Sequence, residues 1–107
     1  MAIVEVTIVP LGTATPSLSP WVARAHQVLE EEAKAAGLKT MLTPMATILE
    51  GDLDRILAAI RKAHEAVFAA GAVRVSTSIR IDDRRDKPAS MEGKVRSVEE
   101  KLKGEAG

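Results

Sequence analysis

The sequence predicts an α+β sandwich with the order β-α-β-β-α-β followed by a C-terminal helix. Three observations predict it. Ile3 to Pro10 and Val73 to about Asp82 alternate in character with the two-residue period of a strand. The stretches after Ser19-Pro20 and Gly51-Asp52 repeat apolar residues at helical spacing. Two short segments between them, Leu38 to Thr43 and Ala46 to Glu50, are separated only by Pro44-Met45, which implies an antiparallel hairpin. This is the split βαβ, ferredoxin-like arrangement, an antiparallel sheet with both helices on one face.

In the first strand Val4, Val6 and Ile8 share one face, and Ile3, Glu5, Thr7 and Val9 the other. Pro10 and Gly12 close it, and a loop rich in Thr, Ser and Pro leads to Ser19. Ser19 reads as an N-cap with Pro20 at the first helical position. Val22, Ala25, Leu29, Ala33 and Ala36 form the buried stripe of that helix, and Gly37 suits its left-handed end. Asp52 is expected to cap the second helix, whose stripe is Leu53, Ile56, Leu57, Ile60, His64, Val67 and Phe68. Gly71 ends it. In the last strand Val73, Val75, Thr77, Ile79 and Ile81 alternate with Arg74, Ser76, Ser78, Arg80 and Asp82. After the charged loop Asp83 to Pro88, Ser90 is expected to cap a final helix with a narrow seam of Met91, Val95, Val98 and Leu102.

The 107 residues are one domain's worth, read as a single domain over 1–107. Such a chain buries roughly 65% of its unfolded surface. Aromatic residues are 2% of the chain against 46% hydrophobic, so the core must be aliphatic. Fifteen basic residues balance fifteen acidic ones, which leaves no field to attract nucleic acid or an anionic membrane. One Trp and one Phe provide no stacking platform for bases. The absence of Cys removes disulfides, thiol catalysis and thiolate metal sites. No signal peptide and no apolar run of membrane-spanning length is visible, so a cytoplasmic protein is expected. The lack of Asn and the single Gln suit a protein from a hot environment, where amides are labile, and equally a GC-rich genome.

With two helices on one face, the other sheet face is left open. Glu5, Thr7, Thr47, Ser76, Ser78 and Arg80 are expected on it, and self-association is expected to cover it.

Chemistry-bearing residues are few. His26 and His64 lie on separate helices with no second His four residues away, so packing or surface roles are favoured over metal binding. No Ser lies in a nucleophile elbow or beside an evident His-Asp pair. Pro10-Leu-Gly-Thr13 lacks the Gly and Lys pattern of a phosphate loop. No catalytic group, metal or cofactor is assigned. The run Arg80 to Lys87 reads either as a self-neutralised loop or as a rim of donors and acceptors at a pocket mouth. Glu50 stands before Gly51, able to meet a ligand ring nitrogen or the N-terminus of the next helix.

Five stretches in register carry a resemblance: Pro10-Leu-Gly-Thr13, Pro44-Met-Ala-Thr-Ile-Leu-Glu-Gly51, Arg74-Val-Ser-Thr77, Asp82-Asp-Arg-Arg-Asp-Lys87 and Lys94-Val-Arg-Ser-Val98. Together they resemble the small thiamine-binding protein family, related to the YkoF-like proteins. The resemblance implies a ferredoxin-like subunit, assembly into dimers or tetramers through sheet faces, and binding of thiamine or its hydroxymethylpyrimidine portion without a catalytic reaction. For such a ligand Thr47, Ser76, Thr77, Ser78, Glu50 and Asp82 are the expected polar groups and Met45 a polarizable wall. Ser17 and Ser19 are expected to reach in from the first loop. Arg84, with Arg85 and Lys87, suits a phosphate on a phosphorylated form. The competing expectation is a regulatory or structural homo-oligomer that binds a different small molecule.

Overall fold

The computed structural model describes residues 1–14, 16–86 and 90–106, with the side chains of Ser19, Glu105 and Ala106 left aside. Seven elements follow in chain order: β1 (Ala2–Pro10), α1 (Ser19–Ala36), β2 (Lys39–Leu42), β3 (Thr47–Gly51), α2 (Leu53–Ala69), β4 (Val75–Asp83) and α3 (Met91–Ala106). The four strands form one antiparallel sheet in the order β2-β3-β1-β4. The expected α+β ferredoxin-like arrangement is therefore present, with the additional helix at its end.

Local chemistry explains the boundaries. Gly37 has φ 73°, the left-handed conformation expected at the end of α1, and its amide reaches back to Ala33 and Lys34 carbonyls. Asp52 caps α2 by accepting from the Arg55 amide at 3.1 Å, and Ser90 Oγ accepts from the Gly93 amide at 2.9 Å at the start of α3. Gly51, the last residue of β3, has φ +148°, and a Cβ there would collide with the Leu38 side chain. The start of α1 differs from expectation. The helix already includes Ser19, so the cap position falls on Leu18 and Pro20 sits inside the first turn, where its missing N–H costs no bond.

The core lies between the sheet and α1 and α2. Val4, Val6 and Ile8 of β1, Leu49 of β3, Leu29 of α1 and Ile56 of α2 are all buried there. The stripe of α2 is smaller than the sequence suggested. Ala59 and Ala63 are buried, whereas Leu57 and Phe68 are each 37% exposed. Alanines at the α1–α2 contact, including Ala25 and Ala33 opposite, let two helices approach closely over the sheet. On the edge strand β4, Ile79 and Ile81 share the helix side with Val6 and Val4. They remain 43% and 45% exposed, because an edge strand has only one neighbour to shelter it.

The register also sorts the open face. Glu5, Thr7, Ser76, Ser78 and Arg80 lie there as expected, but Thr47 does not. It pairs with Val6 and is buried on the helix side. The error is one of phase: β3 begins at Thr47, and a one-residue offset moves a side chain to the opposite face. Glu50, three residues on, shares the open face with Ile3.

At one end of that open face, Lys39, Glu50, Ile3 and Asp82 form a single row across all four strands. The first turn of α3 crosses this row. Glu92 binds Lys39, Lys94 binds Asp82, and Met91 is buried. Beyond that turn, Val95, Val98 and Leu102 are 56–58% exposed.

Candidate functional site

The β1–β3 ladder ends at the Val6–Thr47 pair, while β1 continues to Pro10 beside β4 alone. A gap opens where β3 stops short. Thr43 shapes its outer wall: the hydroxyl accepts from the Ala46 amide at 3.1 Å and donates to the Ala46 carbonyl at 3.0 Å, closing the Pro44-Met45 turn. The resulting cleft of about 160 Å³ lies between the end of β1, the β2–β3 turn and α1. Its walls are aliphatic, with Val22, Leu29, Leu42 and Met45 among them. Val22, His26 and Leu42 also border a wider groove of about 600 Å³, which runs along α1 past Leu18 and Glu30.

The polar centre is a chain of three side chains. His26 Nδ1 lies 3.1 Å from Thr47 Oγ1, and His26 Nε2 lies 2.9 Å from Glu30 Oε1. Thr47 is 6% exposed and lines the cleft together with His26. Among the described residues bordering the cleft and the groove, Glu30 is the one carboxylate, and no Lys or Arg is present. This combination of apolar walls with a few convergent polar groups is what a small-molecule site requires.

The sequence-predicted residues are divided by the fold. Met45 and Thr47 line the cleft. Ser17 lies between Pro16 and Leu18, which border the groove, and Ser19 begins α1 beside it. Ser76 and Ser78 pair with Val9 and Thr7, two residues whose strand edge lines the cleft, but stand on the open face. Thr77 is on the helix side, where His64 Nδ1 meets its hydroxyl at 2.7 Å. His64 also packs edge-on against Phe68. Glu50, Asp82 and Arg84 are at the other end of the sheet. The two arginines expected at a pocket rim are occupied locally, Arg84 by Asp86 and Arg85 by Asp83. These contacts hold the Asp83 carboxyl below its ordinary range, through the Arg85 hydrogen bond, and raise both guanidinium groups further. Lys87, the third expected cation, lies outside the described residues.

Sequence reasoning passed over His26 and Glu30. Their i,i+4 spacing on one helix was the available signal, since it places an imidazole and a carboxylate side by side. The Thr47 partner was not legible, because it depends on the phase of β3.

A family model described as thiamine-binding protein matches residues 4–99. The chain belongs to that family. Among its relatives, the UPF0045 protein YqgV of Bacillus subtilis is 49% identical over 102 residues, covering 95% of this chain and 98% of that one. A UPF0045 protein of Methanothermobacter thermautotrophicus is 44% identical over 103 residues, covering 95% and 100%. The crystal structure of MJ1052 from Methanocaldococcus jannaschii aligns with TM-score 0.81 at 38% identity over 92% of this chain and 96% of that one. A Thermotoga maritima protein, provisionally described as a thiamine biosynthesis/salvage protein, aligns with TM-score 0.65 at 20% identity over 91% and 97%, which is a likeness of fold. Among the described residues no group of three or more His, Asp or Glu side chains is placed to hold a metal ion. No helix among them is long and apolar enough to cross a membrane.

Proposed function

We propose that the protein is a non-catalytic binder of thiamine or its hydroxymethylpyrimidine portion, and that the site is the cleft and groove along α1. The observation that carries this reading is the pairing of two compartments through Val22, His26 and Leu42. The inner cleft is small, aliphatic and furnished with a hydroxyl, which suits a substituted pyrimidine ring. The outer groove is wider and has Glu30 as its charged group, which suits the fixed positive charge of a thiazolium. Met45 and Thr47 contact the ring in this proposal, and Ser17 borders the tail. Arg84, at the far end of the sheet and paired with Asp86, has no part in it.

Self-association belongs to the same proposal. Met41, Ile79, Ile81, Val95, Val98 and Leu102 are large apolar residues 43–58% exposed, surface that a second copy would take out of water. The same exposure supports the second reading, an assembly that serves regulation or structure.

Calorimetric titration with thiamine and hydroxymethylpyrimidine, with Trp21 fluorescence followed in parallel, tests the binding reading. Saturable binding with a defined stoichiometry, weakened in Thr47→Val, is the expected result. No heat at millimolar ligand would leave the assembly reading in its place.

A further inference from the structure

The chain Glu30–His26–Thr47 fixes more than a position; it fixes which way a hydroxyl points. An ionised carboxylate can only accept hydrogen bonds. The 2.9 Å contact with Glu30 Oε1 therefore puts the proton of a neutral His26 on Nε2. Nδ1 is then an acceptor, and the 3.1 Å contact with Thr47 requires the Thr47 hydroxyl to donate to it. With its one proton committed, Thr47 has only lone pairs left for the cleft it lines.

We infer that Glu30, acting through His26, sets Thr47 as a hydrogen-bond acceptor, so that the cleft selects a heteroaromatic ring bearing an exocyclic amine over the same ring bearing a carbonyl. The inference rests on the small-molecule reading of the cleft. An amine donates to the hydroxyl lone pair. A carbonyl at the same place sets acceptor against acceptor, and leaving a buried polar group unmatched lowers affinity by about tenfold or more. Glu30 and His26 are positioning residues here, and Thr47 is the contact.

The surroundings leave this chain in command of the site. Of the elements around His26, β1 contributes Val6 to Val9, and the β2–β3 turn contributes Leu42 to Thr47, none of them charged. On α1, the groove adds Gln27 and Glu30. Glu30 is thus the charged group facing the imidazole among the described residues. Protonation of His26 would place a donor on both ring nitrogens and reverse the Thr47 hydroxyl toward the cleft.

The second histidine pair gives an internal contrast. His64 meets Thr77 through the same Nδ1 atom, but its ring packs edge-on with Phe68.

Two measurements on the full chain test the inference. The first is the nitrogen-15 spectrum of the His26 ring at about pH 8, where an ordinary histidine is neutral. The proton is expected on Nε2, and Glu30→Gln is expected to let the other tautomer appear. The second is competitive calorimetry with 4-amino-5-hydroxymethyl-2-methylpyrimidine and its 4-oxo counterpart at the same pH. The amine is expected to bind about tenfold more tightly, and the ratio to fall toward unity in Glu30→Gln and Thr47→Val. Thr47→Ser, which keeps the hydroxyl, is expected to retain it. A proton on Nδ1 in the unmodified protein, or an amine preference that survives Glu30→Gln and Thr47→Val, overturns the inference while leaving the cleft a binding site. Binding of neither pyrimidine overturns the preference and the small-molecule reading together, and the ring spectrum then decides the tautomer by itself.

Discussion

Lys39 and Glu50 stand opposite each other in the β2–β3 ladder, with the Lys39 ammonium 4.0 Å from a Glu50 carboxylate that is 3% exposed. That carboxylate oxygen, Oε2, has no hydrogen-bond partner among the described residues. A buried charge so placed depends on whatever opposite charge is near it. Lys39→Met is therefore expected to lower stability by about 1–2 kcal/mol, a value reduced because the lysine is itself largely exposed. Glu50→Gln in the same background should recover most of the loss. Urea unfolding of the two single variants and the double variant measures the coupling. Additive effects would mean that the carboxylate does not rely on Lys39.

The β2–β3 turn is the next point of sensitivity, because one hydroxyl organises it. Thr43 Oγ1 accepts from the Ala46 amide and, at 3.3 Å, from the Met45 amide. Thr43→Val keeps the shape but removes the bonds, and should cost about 1 kcal/mol. The same turn is a wall of the cleft. If the proposed site is right, ligand affinity should fall in this variant by more than stability alone explains, as read by calorimetry at a temperature where the protein is fully folded.

The acid behaviour of α3 follows from Glu92 in its first turn. A hydrogen bond with its own backbone amide, and then the charge of Lys39, hold this carboxyl below its ordinary range. A carboxyl depressed on folding contributes stability that is present above its unfolded value and is lost as pH falls through the folded one. The contact of α3 with the sheet should thus weaken only below the ordinary glutamate range. Amide exchange in Met91 to Lys94, followed as the pH is lowered, is expected to rise in that window in the unmodified protein. In Glu92→Gln the pH step should be absent.

The contrast between what the sequence foretold and what it did not is physical. Alternation in β1 and the caps at Asp52 and Ser90 depend on neighbours in the chain, so they were readable and are found in place. Thr47 depended on where β3 begins, and a two-residue period converts an error of one into the wrong face. The site residues were harder still. Glu50, Asp82 and Arg84 shared a chemical character with Thr47 and Ser76, but antiparallel pairing carries them to the opposite end of the sheet. His26 reads from sequence as a packing or surface residue and Glu30 does not stand out at all, because the Thr47 partner of His26 lies 21 residues away in another element.

The last prediction concerns α3 beyond its first turn. Met91, Val95, Val98 and Leu102 recur at intervals of four, three and four, the spacing of a seam that two helices can share. Met91 is buried within the subunit, but the other three are more than half exposed. Their exposure leaves apolar area in water that a second copy would remove, at roughly 25 cal/mol for each Å². Val98→Asp places a charge at the middle of the seam without touching the core around α1 and α2. It should weaken self-association at least about tenfold in sedimentation equilibrium, with circular dichroism unchanged. Should Val98→Asp associate as the unmodified chain does, the seam is not the contact, and the exposed Ile79 and Ile81 of β4 become the surface to vary next.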